Sequence, residues 1–256
     1  MNPRRTARTT LLVGGVLLAG VALTGCGSAN ADDADPEHKA FALSGQELTV
    51  DSDNSELELV PGEGKDVKVT RQFSGWTVGG SSSASWEMEG HTLKLRQHCS
   101  GIVKQCESKH RIEVPRGVKV TVQDDNGGIQ ASGFDQDLKV RSSNGPIRVK
   151  DSSGALDLSS SNGSVTATGN SSPRVKAHSS NGNVAVALTK VPDSVEATNN
   201  NGNVKIELPG TPRVPYAVDA HSDNGTAKVD VPTDNTSKHS VTGRSNNGNV
   251  RVVTAG

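Results

Sequence analysis

The dipeptide Asn-Gly recurs seven times from Asn126 onward, and that recurrence constrains the fold more than any other feature. It stands at Asn126-Gly127, Asn144-Gly145, Asn162-Gly163, Asn181-Gly182, Asn201-Gly202, Asn224-Gly225 and Asn247-Gly248, at spacings of 18, 18, 19, 20, 23 and 23 residues. Self-similarity at about 20 residues marks a stack of small units, none of which can bury enough surface to fold alone. Six residues before the asparagine stand Val120, Leu138, Leu156, Val175, Val195, Val218 and Val241. Five after it stand Ala131, Val149, Ala167, Val186, Ile206, Val229 and Val252. Apolar and polar positions alternate on both sides of the turn, the period of a strand with one buried face. Each unit therefore reads strand, Asn-Gly turn, strand, loop. Glycine accepts positive φ at no steric cost and asparagine tolerates it, which is the expected reason for the pair.

Asn-Gly between alternating strands is also a hairpin signal, so an antiparallel meander is the competing fold. Three features favour a parallel β-solenoid with coils of 18–23 residues. Each column keeps its chemistry across the units, and small polar residues recur before the turn (Ser142-Ser143, Ser160-Ser161, Ser179-Ser180, Asn199-Asn200). Length varies only in the loops between units, where TKVPD, PGTPRVP and VPTDNTSK sit, as repeat proteins allow. Residues 123–256 are thus read as the solenoid. Residues 41–122 alternate without a clean repeat and are expected to form a less regular β region at its N-terminal end. Trp76 and Trp86 flank the stretch TVGGSSSAS and are expected to pack over the capped end, where exposed core must be covered.

The start of the chain has a different character. Arg4, Arg5 and Arg8 precede an apolar run from Leu11 to Leu23, too short for a permanent span and suited to a cleaved signal peptide over residues 1–25. The following Leu23-Thr24-Gly25-Cys26 resembles the bacterial lipobox, which implies cleavage before Cys26 and acylation of its thiol. The twin-Arg reading of Arg4-Arg5 lacks its flanking residues. Residues 26–40 are small and acidic and read as a disordered spacer that tethers the folded part near the membrane but not flush against it. Cleavage removes three arginines, taking Lys+Arg from 27 to 24 against 28 acidic residues. A mildly acidic chain with no concentrated basic face is a poor nucleic-acid binder. Localisation on the extracytoplasmic face of the cell membrane follows from these expectations.

Cys99 and Cys106, in HCSGIVKQC, are expected to form a disulfide in that compartment. Zinc held by His98, Cys99, Cys106 and His110 is the alternative, against which stands a cysteine spacing wider than zinc sites use; free thiols are the third reading. His178 and His221 share an outward column three before the asparagine, but two rungs apart they are too distant for one metal. Asp124-Asp125 and Asp223 sit in distant turns, and the acidic pattern of calcium-binding repeats is missing. No cofactor, metal or small-molecule substrate is expected, and the chain is read as non-catalytic. One outward column, four after the asparagine, brings Lys205, Lys228 and Arg251 onto successive coils. Glu207 and Asp230 lie two residues further on and can screen them. The strip is either a solvated surface or a contact for an anionic envelope polymer or membrane protein.

A lipobox, an acidic spacer, a cysteine pair and tandem β-repeats turning on S-S-N-G-x-V together resemble the putative-adhesin family of β-strand-repeat envelope lipoproteins, over roughly Phe41 to Gly256. The resemblance implies a β-solenoid, an envelope location and no established activity. The expected role is a scaffold or adhesion module. The alternatives are an envelope-stress sensor and a glycan-processing enzyme on a β-helix.

Overall fold

The computed structural model describes residues 30–255; the signal segment and Cys26 lie outside the described residues. Seven strands form the N-terminal part: β1 (Glu37–Ala42), β2 (Glu47–Ser52), β3 (Glu56–Gly62), β4 (Asp66–Val78), β5 (Ser82–Glu89), β6 (Thr92–Cys99) and β7 (Val103–Pro115). Seven coils follow, each a pair of strands around one Asn-Gly. They are β8 (Lys119–Asp124) with β9 (Ile129–Ser132), β10 (Leu138–Ser142) with β11 (Ile147–Lys150), β12 (Leu156–Ser160) with β13 (Val165–Asn170), and β14 (Arg174–Ser179) with β15 (Val184–Leu188). Then come β16 (Ser194–Asn201) with β17 (Val204–Leu208), β18 (Ala217–Ser222) with β19 (Ala227–Asp230), and β20 (Ser240–Asn247) with β21 (Val250–Thr254). The first strand of each coil joins one sheet (sheet B) and the second joins the other (sheet A). All pairing between coils is parallel, so the architecture is the expected solenoid and not a meander of hairpins.

The aligned apolar columns form the core. Val120, Leu138, Val140, Ile147, Val149, Leu158, Val165, Val186 and Ile206 are each at most 1% exposed, and their neighbours across the sheets are equally apolar. Coils this thin gain nearly all their burial from stacking, which is why the columns are so regular.

The turns are held by two ladders. Each turn asparagine donates its side-chain amide to the side-chain oxygen of the asparagine in the coil before it: Asn144 to Asn126 at 2.7 Å, Asn162 to Asn144 at 2.8 Å, Asn181 to Asn162 at 2.9 Å and Asn201 to Asn181 at 3.0 Å. Asn126 continues the ladder to Asn54, which the Asn-Gly pattern does not reveal because Ser55 follows it. Inside this row, Ser142, Ser160 and Ser179 accept the N–H of the glycine three residues on, at 2.8–2.9 Å. Ser160 and Ser179 also donate to the glycine carbonyl of the previous coil, at 3.0 and 2.9 Å.

The glycines have a different cause from the one expected. None of the seven turn glycines has positive φ, and neither do the asparagines before them. A Cβ on Gly145 would instead overlap the carbonyl oxygen of Gly127, and Gly163 stands in the same relation to Gly145. Even at Gly202, the roomiest of the series, the Cβ would meet the Gly182 oxygen at 2.6 Å. Glycine is required because the turns stack backbone on backbone.

Coil order departs from chain order at both ends. At the C-terminal end β16 and β17 pair with β20 and β21, and β18 and β19 lie outside those. The chain skips one rung, builds the outermost coil, and returns to fill the gap. The two spacings of 23 residues are the sequence trace of this: the longer Pro-bearing loops span the skipped rung. At the N-terminal end β2 and β3 form a coil against β8 and β9, and β6 and β7 form another outside it. Beyond that β4 and β5 run antiparallel to β7 and β6, and β1 closes sheet A.

Of the spacer expected over residues 26–40, the described residues 30–40 are ordered. Residues Ala31–Asp33 form a 3-10 turn, Asp32 pairs with Lys109 at 2.7 Å, and Ala31 N–H donates to Glu107 Oε2 at 3.0 Å. Glu37 binds Arg71 at 2.6 Å and Phe41 enters the core. Composition hid this, because Asp32 and Glu37 find their partners in distant sequence.

Candidate functional site

The outer face of sheet B carries a groove of about 410 Å³ that crosses six neighbouring strands, from β2 through β8, β10, β12 and β14 to β16. Its sides are Thr49, Thr121, Lys139, Asp157 and Lys176, and small residues Ala155 and Ser194 leave it open. Six strands at about 4.8 Å spacing make it roughly 24 Å long. Charges alternate along it: Lys139 faces Asp157 at 3.8 Å, and Lys176 faces Glu196 at 3.4 Å. Toward the turns a second depression continues it, lined by Thr121, Gln123, Arg141, Ser143, Ser159 and Ser161. Hydroxyls and charged side chains able to donate and accept hydrogen bonds recur along this face, with Leu48, Leu138 and Leu156 also lining the groove. The signal was present in the column five before the asparagine (Thr121, Lys139, Asp157, Lys176, Glu196), which alternates in charge.

Sheet A carries the predicted basic strip. Lys205, Arg251 and Lys228 lie on three adjacent strands, but with Arg251 in the middle, not on the outermost coil, because β21 sits between β17 and β19. Lys205 pairs with Glu207 at 2.5 Å. Glu207, Asp230 and Thr254 share a shallow depression with Lys205 and Arg251.

The remaining candidates are not brought together. His178 Nδ1 contacts Thr198 Oγ1 at 2.9 Å, and His221 contacts Asp223 at 2.9 Å. Three strand intervals separate the two histidines, not the two expected, because β20 intervenes. Asp124 is pushed above the usual carboxylate range by burial, yet it occupies the serine position of the inner ladder and binds Gly127 N–H there. Its burial serves the turn. Among the described residues no group of three or more His, Cys, Asp and Glu side chains is placed to hold a metal ion. Cys99 and Cys106 are joined as a disulfide with Cα atoms 6.2 Å apart.

The N-terminal end is covered and extended. Trp86 meets Phe41 edge-on at 6.3 Å and His110 at 6.4 Å, with the Arg71 guanidinium 4.3 Å over the indole. His110 is buried with neither ring nitrogen hydrogen-bonded, and burial, with the Arg71 charge adding, lowers its pKa to about 4. Trp86 thus caps the solenoid as expected. Trp76 does not: it lies on an arm that β4 to β7 extend past the turns, and is 42% exposed. In the arm the sheets close together, Gly75 against Ser82, and the disulfide ties β6 to β7 where the apolar core has run out.

Residues 45–255 match the family model described as Toastrack DUF4097. Among solved structures, a putative adhesin of Bacteroides fragilis is 14% identical, with a TM-score of 0.47, 86% of this chain and 97% of that chain covered. A putative cell adhesion protein of Clostridium sporogenes is 12% identical, with a TM-score of 0.36, covering 87% of this chain and 100% of that one. A protein described as a putative lipid binding protein, from Parabacteroides distasonis, is 13% identical with a TM-score of 0.38, covering 86% and 98%. No curated protein matches the sequence.

Proposed function

The chain belongs to the Toastrack DUF4097 family, and from that premise we propose that it is a non-catalytic, lipid-anchored binding module on the extracytoplasmic face of the cell membrane. Cys26 carries the lipid, and the solenoid presents its faces to the envelope. The observation that supports binding is the groove across six strands of sheet B, along which charged and hydroxyl side chains recur beside apolar lining residues. Such a face suits an extended polyhydroxylated polymer, which can hydrogen-bond at each rung without a deep pocket. Lys139 with Asp157 and Lys176 with Glu196 are paired across rungs, a balance that serves complementarity more than proton transfer.

The test is binding of the purified mature protein to isolated cell wall. Lys139→Ala with Lys176→Ala is expected to weaken binding at least several-fold, and Lys205→Ser with Lys228→Ser and Arg251→Ser to leave it near wild type. Unchanged binding in the groove variant overturns the groove assignment, and loss in the strip variant alone transfers it to sheet A. A second reading, a sensing lipoprotein that works through a protein partner, draws on the open strand edges of β18 and β19, which a partner strand can extend.

A further inference from the structure

We propose that the tip of the disulfide-bearing arm dips into the bilayer and is a second point of membrane attachment beside the lipid; the inference rests on the anchoring at Cys26 proposed above. Among the described residues five large apolar side chains are exposed, and four of them are at this tip: Trp76 at 42%, Val78 at 46%, Ile102 at 89% and Val103 at 46%. Val78 lies directly opposite Val103 and Trp76 opposite Gln105, so Trp76, Val78 and Val103 share the outer face of sheet A. Ile102 stands at the turn itself, its N–H bound to Val78 at 2.9 Å.

Two further observations select a lipid surface as the occupant. The first is the place of Ala31. Ala31 binds Glu107, which lies opposite Ser74, two residues before Trp76 on the same strand. Glu107 and Gln72 lie on the same outer face as Trp76 and Val78. Val103 is four residues from Glu107, about 13 Å along the strand. Cys26 precedes Ala31 by five residues, a reach of at most about 17 Å. Chain length therefore allows the lipid on Cys26 and the apolar tip to reach the same plane. The second is charge. No Asp or Glu occurs in residues 73–86 or 90–106; of the basic residues there, Lys94 and Arg96 are paired with Glu89 and Asp51, and His98 and Lys104 stand nearest the tip. An apolar tip flanked by Lys104 and His98, with no carboxylate in the tip segments themselves, matches an anionic bilayer surface, with tryptophan at the interface.

The test uses the mature lipidated protein in vesicles of phosphatidylcholine and phosphatidylglycerol, with and without bromine on the acyl chains, in wild type and in a Trp76→Phe variant. Trp86 is the other tryptophan, so the difference between the two proteins reports Trp76. The expected result is that Trp76 loses most of its emission to the bromines while Trp86 keeps its own. Replacing Val78, Ile102 and Val103 by Ser is expected to speed transfer of the protein to acceptor vesicles. Mass spectrometry of Cys26 separates the two claims. An unmodified Cys26 overturns the anchoring and this inference with it. A lipidated, vesicle-bound protein whose Trp76 emission the bromines leave unchanged overturns this inference alone.

Discussion

The two ends of the solenoid solve the same problem in opposite ways. At the N-terminal end Phe41, Arg71, Trp86 and His110 close over the last coil, and β1 pairs along the edge of sheet A. At the C-terminal end β18 and β19 are edge strands of both sheets, Ala227 is exposed, and Val229, a core position in every other coil, is 40% exposed. Asn224 donates to Asn247 at 2.9 Å and, among the described residues, accepts from no further asparagine. An unpaired edge is a template for another strand. Both ends finish on edge strands, β1 and β5 at one and β18 and β19 at the other, but the core is covered at the end turned toward the proposed anchor and partly exposed at Val229 at the other. The difference teaches that the repeat itself specifies stacking but not termination: covering the last coil needs residues from outside the repeat, which close over the core at the N-terminal end, whereas Tyr216 and His239 pack beside the C-terminal coils and leave Val229 exposed.

The comparison can be broken first at the glycines. Gly145→Ala in an interior coil forces a Cβ into the Gly127 carbonyl, with coils fixed on both sides. A loss of about 4 kcal/mol or more is expected, the range of severe backbone strain. Gly225→Ala meets Gly248 in the same way, but its coil is free to move outward, and urea unfolding is expected to show less than half that loss. Equal losses would mean that the outer coil is as constrained as the interior.

Acid sharpens the other side of it. The unfolded His110 takes up a proton below about pH 6.5, while the folded one resists until about 4. A depressed base pKa makes stability fall as pH drops through that window, by about 3 kcal/mol in full. His110→Leu is expected to flatten the dependence. A pH profile of unfolding unaltered by the substitution would show that the cap owes nothing to the neutral histidine.

Removing the disulfide by Cys99→Ala with Cys106→Ala is expected to cost about 2 kcal/mol in the chain-entropy model, with faster amide exchange confined to the arm. The smallest contrast is in the core column five after the asparagine. Val186→Ala, at 1% exposure, is expected to cost about 2 kcal/mol. Val229→Ala at the open end is expected to cost less than about 0.5 kcal/mol.

The sequence made the periodic part of this molecule legible and the exceptions to the period largely opaque. Residues that repeat, such as Val120, Leu138 and Leu156, announce their buried face because every coil repeats the same environment. The Asn-Gly pairs were legible as turns for the wrong reason: sequence shows that glycine is needed, but only stacked backbones show that Gly145 is crowded by Gly127. The coil exchange left a trace in the spacings of 23, yet no local propensity encodes which rung a strand enters. The acidic residues Asp32 and Glu37 looked like solvated spacer because Lys109 and Arg71, their partners, are 77 and 34 residues away. Of the candidate sites, the basic strip was visible as a column, and the sheet B groove was equally visible but lay in a column whose mixed charge looked unremarkable until the strands were side by side.

Residue-resolved amide exchange on the native protein tests the order of the final coils most directly. The account predicts that β20 and β21, although last in the chain, exchange as slowly as the interior coils, and that β18 and β19 exchange fastest. Protection that declines steadily toward the C-terminus, with β20 and β21 exchanging before β18 and β19, would contradict it.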